Sequence, residues 1–588
     1  MKALLITYVL ILLQIQILGQ NMKTFYIDCD QEEFNEMYEN YDQNIVIDAQ
    51  LTYDSNSWTN ISLRIRGDGS KEYPKKSLEI KFDSIPFTTG EQVLNFNAEY
   101  RDISYMRSFL SSFCFRSAGI ACPAMEHVVL YLNGSFFGIY LMTEEVDDLF
   151  LKNNGFPDDG NLYKAQLDGA CLSIYDNIYY HWKKVVDAIP GRDDLAHLIQ
   201  MLNHSENENY PEFLDNTFDY ERLTTLIALN MLIANGSTYY HNYYLFNNTG
   251  NQGKWEIIPW DLDLTLAAYS KWYPFHRSSG FWTPDNPLLE RSLINDLVFG
   301  NIQVKVSQLS SDLFNAGSLF PVIDSLYDVL LPYIPLDTTD QIEDIETWDQ
   351  YIESNRDFIT TRINHLNYQF QKYPRNFKLH RKIGYFKSGE PVLLTWDTSS
   401  DPNNLNLYYH LYYGKDRDLT DSTAHIVTGL TTNFYQIDGL EEEGKYYWKV
   451  EVTNNIHGTL PGFDTYNTFF VSSGIPFIVI NEINYKSSPD FNTGDWIEFY
   501  NPNDTSVSLF NWYFMDDNNA HRFTFSEEDI IDPHGYLVLC RDTSAFREFF
   551  PLASPITGNM DFGLSSAGEL VRLYNPIGYL VDNLVYKS

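Results

Sequence analysis

The chain has 588 residues, which at roughly 150 residues per domain corresponds to about four domains. It carries 40 Lys and Arg against 79 Asp and Glu, a formal net charge of −39. Because nucleic acids and anionic membrane surfaces are bound by clustered basic residues, this charge argues against both as default partners. A hydrophobic content of 44% excludes global disorder, and five cysteines in so long a chain exclude a small disulfide scaffold.

The first twenty residues have the pattern of a secretory signal peptide. Lys2 is followed by an apolar run over 3–13 and by the small residue Gly19. The alternative is a short membrane anchor, but a membrane-spanning helix needs about 18 apolar residues or more. We therefore predict a signal peptide over 1–20 and a mature protein that is secreted or held at the cell surface without a transmembrane span.

Residues 21–374 combine two periodicities. Segments 63–66 and 77–82 alternate between apolar and polar residues as strands do, whereas 108–118 and 220–233 carry apolar residues at helical spacing. Helical spacing recurs towards the end of the region. The mixture predicts one α+β domain with a large helical part.

Residues 375–474 show no helical pattern. Segments 392–396, 407–413 and 446–452 are typical of short strands, and turn residues separate them. Trp396 in an early strand, followed by an aromatic late strand, resembles a fibronectin type III domain. This resemblance implies an immunoglobulin-like β-sandwich that spaces or binds, and the segment contains no catalytic constellation.

Residues 475–588 form a second all-β segment. The stretches 480–485, 494–502 and 567–575 resemble the lamin-tail domain, an immunoglobulin-like sandwich found on secreted bacterial proteins as well as in nuclear lamins. The predicted fold class is therefore multidomain, with an α+β domain followed by two all-β immunoglobulin-like sandwiches.

The strongest chemical signal is a pair of aspartates after an apolar strand. Asp261 and Asp263 are two residues apart and lie on the same side of an extended chain. Two hard oxygen ligands at a strand end suit Mg²⁺ or Mn²⁺ bound together with substrate phosphates. The alternative is a pair of solvent-facing aspartates on an edge strand. Asn242 lies about twenty residues upstream, and its side-chain oxygen either completes a metal site across a hairpin or belongs to an ordinary turn.

A second signal is a glycine-rich turn over 66–70, followed by a strand that carries lysines. Such a turn and strand can cover and neutralise phosphates. The alternative is a β-turn with a solvated basic strand, because the sequence is neither a Walker A motif nor Gly-x-Gly-x-x-Gly.

Taken in order, these pieces resemble the spore coat protein H (CotH) kinase family. The segments that carry the resemblance span about 60 to 370 and are 64–82, 106–120, 129–145, 161–164, 241–245 and 258–263. The resemblance implies an atypical protein-kinase-like fold that transfers the γ-phosphate of ATP to Ser or Thr of a secreted or surface protein.

The resemblance also implies roles for individual residues. Lys76 would contact the phosphates, with Lys81 as the competing candidate, and Glu144 would lie near the nucleotide at a hinge-like position. Asn242 and Asp261 would hold the Mg²⁺ or Mn²⁺ that bridges the phosphates, with Asp263 close behind them.

One position departs from the family pattern. Protein kinases place a catalytic Asp five residues before the metal-binding Asn, and here that position is Ser237. A serine cannot accept the substrate proton as a carboxylate does, and losing such a base costs about 10²–10⁴-fold in rate. Asp263 would have to reach the hydroxyl instead.

Three functions therefore stay open. The first is a secreted or surface kinase whose acidic charge favours basic protein substrates. The second is a pseudokinase that uses its β-modules for surface adhesion or assembly. The third, ranked last, is a glycosyltransferase that uses Asp261 and Asp263 to hold a metal and a nucleotide sugar.

Overall fold

The fold is described from a computed structural model of the full chain. The structure describes residues 22–587 with gaps at 84, 158, 168, 174–177, 180, 205–208, 272–285, 338–341, 381–384, 390, 421, 441–443, 463–465, 473–476, 487–492 and 577. The predicted signal peptide lies outside the described residues. Within the described part of the chain, no helix is both long enough and apolar enough to cross a membrane.

The first region contains strands and helices in alternation. Its strands are β1 Lys23–Cys29, β2 Val46–Tyr53, β3 Asn56–Arg66, β4 Ser77–Phe82, β5 Val93–Asn97, β6 Met125–Leu132, β7 Ser135–Thr143, β8 Leu162–Ala165, β9 Trp182–Val186, β10 Tyr243–Asn248 and β11 Lys254–Pro259. Its helices are α1 Gln31–Glu39, α2 Arg107–Ser117, α3 Asp148–Asn153, α4 Asp193–His204, α5 Tyr210–Thr217, α6 Tyr220–Leu232, α7 Pro287–Ile294, α8 Asp296–Asp312, α9 Ala316–Leu330 and α10 Ile345–Lys372.

The first seven strands close into a barrel in the order β1-β2-β3-β4-β5-β7-β6. Neighbours pair in antiparallel fashion except β1 and β6, which run parallel and close the barrel. Inward-facing residues such as Phe25, Leu63, Leu78 and Phe96 are fully buried in one core. Closure removes free strand edges. The predicted strands at 63–66 and 77–82 are confirmed, whereas the closure itself had no local sequence signal.

A second, four-stranded antiparallel sheet in the order β11-β10-β8-β9 follows the barrel, together with the helices. Helix α6 is almost wholly buried in the largest core of the molecule, with Leu226, Leu229 and Leu232 among its members. Its first turn is capped by Asp219, whose side chain accepts a hydrogen bond from the backbone N–H of Arg222. The predicted helices over 108–118 and 220–233 are both confirmed.

The described residues after α10 form β-strands and one short helix. These are β12 Tyr385–Lys387, β13 Val392–Thr395, β14 Tyr408–Gly414, β15 His425–Leu430, β16 Phe434–Ile437, β17 Gly444–Thr453, β18 Thr459–Pro461, β19 Asn467–Ser472, β20 Val479–Asn484, β21 Trp496–Tyr500, β22 Val507–Ser508, β23 Tyr513–Met515, β24 Phe523–Thr524, β25 Ile530–Ile531, β26 Tyr536–Cys540, α11 Thr543–Phe549, β27 Ile556–Gly558, β28 Gly568–Tyr574 and β29 Leu580–Lys587.

Two large cores and one small cluster, formed by Val538, Cys540 and Phe546, hold the described residues of this all-β part. One large core contains Trp396 and Trp448, both fully buried, between a six-stranded sheet and a two-stranded one. The other large core contains Phe499, Phe514 and Leu573 between sheets formed by β20 to β29. The predicted fold class, an α+β region followed by all-β sandwiches, is confirmed. The fibronectin type III resemblance and the domain boundaries stay predictions.

Helix α10 ends directly against the first β-core. The side-chain amide of Asn403 donates to the carbonyl of Gln371 at 2.6 Å, and that of Asn454 donates to the carbonyl of Lys372 at 2.8 Å. These bonds satisfy carbonyls in the last turn that have no partner inside the helix. The β-region therefore caps the helix that precedes it.

Candidate functional site

A polar cleft of about 470 Å³ lies between the rim of the barrel and the second sheet. The ends of β3, β5, β7 and β8 and the segment after β11 contribute to its walls. Its charged lining residues are Arg64, Arg66, Lys75, Arg101, Lys164 and Lys183 on the basic side and Asp68, Glu79, Glu99, Glu145, Asp261 and Asp263 on the acidic side. A cleft with charged groups of both signs suits a ligand that carries phosphates and a divalent cation.

The hairpin of β10 and β11 brings Asn242 and Asp261 together. Tyr243 pairs with Pro259, so the residues just outside the hydrogen-bonded register meet at the mouth of the hairpin. The amide of Asn242 donates to Oδ2 of Asp261 at 2.9 Å. Both residues line the cleft and offer oxygen atoms, the ligands preferred by Mg²⁺ and Mn²⁺. The donor set therefore fits the divalent cation that the sequence predicts.

Both residues adopt left-handed backbone conformations, with φ of 59° at Asn242 and 55° at Asp261. Ala234, Tyr239 and Leu266, in the adjoining loops, also have positive φ. Positive φ is uncommon for residues other than glycine, and such residues concentrate at functional sites. This concentration of unusual backbone around one cleft supports a functional role for it.

Asp263 lines the same cleft and is half-buried. Burial, followed by the nearby carboxylates of Asp261 and Glu99, raises its pKa well above the ordinary value. The structure thus places Asn242, Asp261, Asp263 and Glu99 in the lining of one cleft. The aspartate segment is not the extended chain that the sequence predicts, because β11 ends at Pro259 and Asp261 has a left-handed backbone.

Ser237 lies behind Asn242 and is only 3% exposed. Its Oγ accepts a hydrogen bond from the amide of Asn242 at 2.9 Å and lies 3.4 Å from Nε2 of His241. Ser237 does not belong to the described residues that line the cleft. The serine hydroxyl therefore orients Asn242 and lies behind the cleft lining.

The two lysines predicted to contact phosphates are placed elsewhere. The ammonium of Lys76 donates to the backbone carbonyls of Lys71 at 2.6 Å and Tyr73 at 3.0 Å. Lys81 is an exposed residue of β4, on the outside of the barrel. Neither belongs to the lining of the cleft in the described part of the chain.

Glu144 and Glu145 are neighbours in sequence but have different environments. An oxygen of Glu144 accepts the backbone N–H of Ala124 at 3.0 Å, and the residue is not among the described residues that line the cleft. Glu145 lines the cleft and accepts a hydrogen bond from the buried amide of Asn95 at 2.6 Å. Of these two acidic residues, Glu145 is therefore the one that reaches the cleft.

The sequence assigned no individual role to two basic residues of the cleft, Arg66 and Lys164. The Lys164 ammonium and the Arg66 guanidinium lie over the ring of Trp260, at 4.7 Å and 5.8 Å from its centroid. Burial lowers the pKa of Lys164 to about 8, with Glu145 acting in the opposite direction. Lys164 ends the 161–164 segment of the family resemblance, which is the signal that pointed to it.

Lys75 also lines the cleft but is committed to an ion pair. Its ammonium lies 2.7 Å from Oδ2 of Asp337 and 2.5 Å from the hydroxyl of Tyr105, and both charged side chains are almost fully buried. Breaking such a pair leaves an uncompensated buried charge. We assign Lys75 to joining the barrel to the helical part.

Comparison with known proteins identifies the region that holds this cleft. The sequence model of the family described as CotH kinase protein matches residues 63–366, just over half of the chain. The chain belongs to the CotH kinase protein family. Every residue that lines the cleft falls inside this match, so the cleft is a feature of the CotH region. A second model, that of the Lamin Tail Domain, matches residues 472–588.

A curated relative of this CotH family member is the inner spore coat protein H of Bacillus subtilis (strain 168). It is 26% identical over 318 residues, which cover 52% of this chain and 86% of the relative.

Two solved structures also match. The chicken CNTN1 FN1-FN3 domains match with a TM-score of 0.15, 14% identity and coverage of 37% of this chain and 66% of that one. Chitinase ChiA74 from Bacillus thuringiensis matches with a TM-score of 0.15, 15% identity and coverage of 31% and 29%. The chain spans less than two thirds of either solved chain, and scores at this level carry no argument about its fold.

Proposed function

We propose that the chain is a secreted or surface kinase that transfers the γ-phosphate of ATP to Ser or Thr side chains of proteins. The observation that carries this proposal is the Asn242–Asp261 pair, which faces the cations of one polar cleft. Membership in the CotH kinase family supports it.

The two sides of the cleft would bind different parts of the ligand. Asn242 and Asp261 would hold Mg²⁺ or Mn²⁺, which neutralises phosphate charge when bound. Lys164, Arg66 and Lys183 would bind the phosphate oxygens directly. Phosphoryl transfer gains its rate mainly from positioning and electrostatic stabilisation, and the described residues of this cleft supply both.

The place of action follows from the sequence and the relative. The N-terminal signal pattern predicts export, and the Bacillus subtilis relative is by name a spore coat protein. We therefore propose that the substrate is a secreted or surface protein. The net charge of −39 favours a basic one, because opposite charge speeds encounter.

The test is transfer of radiolabel from γ-labelled ATP to a panel of basic and acidic proteins, with Mg²⁺ or Mn²⁺. Wild type and Asp261→Ala are compared, and nucleotide binding is followed by thermal shift. We expect wild type to label protein and Asp261→Ala to lose metal-dependent nucleotide binding. Wild type that binds nucleotide without transferring phosphate would overturn the kinase proposal. Unchanged metal-dependent binding by Asp261→Ala would overturn the site assignment.

A pseudokinase is the second candidate, and Ser237 is the observation that favours it. Its hydroxyl is buried against Asn242 and replaces the acidic residue that the family pattern expects. In that case the CotH region would bind nucleotide as a structural ligand, and the β-regions would mediate adhesion or surface assembly. Binding without transfer in the same assay is the result expected for this candidate.

A further inference from the structure

Ser237 leaves the cleft without a carboxylate at the position that the family pattern assigns to the base. The hydroxyl is only 3% exposed and is bonded to Asn242. If the chain transfers phosphate, as proposed above, another group must accept the proton of the attacking hydroxyl. The inference that follows rests on that proposed function.

Six carboxylates line the cleft in the described part of the chain, and several are already engaged. Glu79 accepts two parallel hydrogen bonds from Arg64, at 2.7 Å and 2.6 Å. Glu145 accepts from Asn95 at 2.6 Å. Asp68 lies on the exposed turn after β3. The two carboxylates that lie beside the proposed cation ligand Asp261 are Asp263 and Glu99, and Glu99 is itself hydrogen-bonded.

Helix α2 brings Glu99 next to the aspartate segment. The hydroxyl of Ser108 donates to Oε2 of Glu99 at 2.6 Å. One turn further along the helix, the hydroxyl of Ser111 lies 2.8 Å from that of Thr265, two residues after Asp263. Residues three apart share one face of a helix, so this face holds both segments side by side. The electrostatic effect of Glu99 on Asp263 agrees with this placement.

The turn that carries Glu99 is fixed from several directions. Glu99 has a φ of 50°, and its carbonyl accepts the backbone N–H of Asp102 at 2.9 Å. From α10, the indole of Trp348 donates to the carbonyl of Ser104 at 3.2 Å, and the amide of Asn355 donates to the Ser104 hydroxyl at 3.0 Å. A left-handed glutamate held this firmly is preorganised, which is what a catalytic group requires.

Glu99 suits proton transfer better than Asp263 does. Asp263 comes from the same segment as Asp261 and lines the cleft beside it, which places it with the cation ligand. Glu99 comes from a separate segment. Glu99 is buried, lines the cleft and is oriented by the hydroxyl of Ser108, so its carboxylate is a positioned proton acceptor.

We propose that Glu99 is the catalytic base of this cleft and replaces the acidic residue missing at position 237. The oxygen of the substrate hydroxyl forms a bond to the γ-phosphorus while the bond between that phosphorus and the β–γ bridging oxygen breaks. The hydroxyl proton moves to the carboxylate of Glu99, and ADP leaves with the electron pair of the broken bond. The proton then passes to solvent.

The test compares Glu99→Gln, Ser237→Asp and the double variant in the full chain, with transfer of label and ATP affinity measured on each. Glu99→Gln keeps an acceptor for Ser108 and removes the base. We expect a loss of transfer of about 10²–10⁴-fold, with the ATP dissociation constant changed less than about threefold. The double variant, which adds Ser237→Asp to Glu99→Gln, should transfer label at least about tenfold faster than Glu99→Gln alone. Glu126→Gln is the matched control, because its carboxylate pairs with Lys23 on the barrel surface.

Each outcome decides the inference. Undiminished transfer by Glu99→Gln overturns it while leaving the proposed function standing. A parallel loss of ATP affinity shows that Glu99 holds nucleotide or cation and overturns it as well. Inactive wild type with active Ser237→Asp shows that no residue replaces the missing acid, whereas inactivity of both removes the proposed function too. If Ser237→Asp fails to fold, Glu99→Asp decides, because a retained carboxylate should keep more activity than Glu99→Gln.

Discussion

Two regions of the molecule each bring three carboxylates together, in different surroundings. The cleft carboxylates, Glu99, Asp261 and Asp263, border a cleft whose other walls carry Lys164 and Arg66. The lamin-tail carboxylates, Asp516, Asp517 and Glu569, place their oxygens within 4.8 Å of one another.

The lamin-tail carboxylates are bonded within their own region. Nδ1 of His521 lies 2.6 Å from Asp516, and the hydroxyl of Tyr586 donates to Glu569 at 2.6 Å. The cleft carboxylates instead face a volume large enough for a ligand. The difference between the two clusters indicates that clustered acids are not sufficient for a site that binds phosphates and a cation. What matters is whether groups of opposite charge face them across open space.

The largest effect that would separate the two carboxylate clusters is expected when a proposed cation ligand of the cleft is removed. Asp261→Ala should weaken metal-dependent ATP binding by about 100-fold or more, because even groups that only support a metal ligand typically contribute 10–100-fold. Titration calorimetry with Mg²⁺ and ATP measures it. The matched control is Asp517→Ala in the lamin-tail region, which should bind ATP like wild type. Equal losses in both variants would contradict the distinction between the two clusters.

The next effect concerns the cation that faces the cleft acids. Lys164→Met should weaken ATP binding by about 10–100-fold, since a hydrogen bond to a charged group contributes about 1.5–3 kcal/mol. Because the pKa of Lys164 is lowered to about 8, its ammonium loses charge as the pH rises through that value. Wild-type affinity should therefore fall between pH 7 and about 9, and Lys164→Arg should show a flatter profile. A wild-type affinity that is constant over this range would refute the assignment.

A smaller effect is expected for stability at the lamin-tail carboxylates. Burial raises the pKa of Glu569 from 4.5 to about 8, so the folded state binds this proton more tightly than the unfolded state. Protonated Glu569 contributes fully to the free energy of unfolding below pH 4.5, and this contribution is lost as the pH rises through about 8. We expect the melting temperature of the lamin-tail transition to fall by at least about 5 °C over this window.

Calorimetry of the full chain at several pH values measures the change, with Glu569→Gln as the comparison. The variant cannot ionise at this position, so its melting temperature should vary less with pH. An identical pH dependence in wild type and variant would show that Glu569 does not titrate in this window.

The smallest effect is expected at the lysines outside the cleft lining. Lys81→Ala should leave both ATP affinity and stability within about 0.5 kcal/mol of wild type, because the residue is exposed on the barrel. Lys76→Ala should cost about 1–3 kcal/mol of unfolding free energy through the loss of its two carbonyl partners, again with unchanged ATP affinity. Weaker ATP binding in either variant would restore that lysine to the site that the sequence predicted for it.

The acidic half of the site was predictable because its geometry is local. Asp261 follows one strand of a hairpin and Asn242 precedes the other, so strand pairing alone brings them together. Asp263 follows two residues later in the same segment and lines the same cleft. Likewise, the strands and helices with strong periodicity, such as β4 and α6, appear where their patterns predict them.

Which other side chains reach the cleft was not predictable, because it depends on contacts that are distant in sequence. Whether Lys75 or Lys76 faces inward is decided by Asp337, which pairs with Lys75 across 262 residues. Glu99 carries no motif of its own, and only the packing of α2 places it beside Asp263. Closure of the barrel by the parallel pairing of β1 and β6 is equally non-local.

Helix α10 joins the region that contains the cleft to the β-region that follows it. It has 28 residues, about 42 Å of length at 1.5 Å per residue. Its first half holds the turn that carries Glu99 through Trp348 and Asn355, and its last carbonyls are capped by Asn403 and Asn454 of the β-region. The helix thus connects the turn beside the cleft, near one end, to the β-region at the other. A pull on the β-region would load the turn that carries Glu99, a coupling that single-molecule force spectroscopy with ATP present would register.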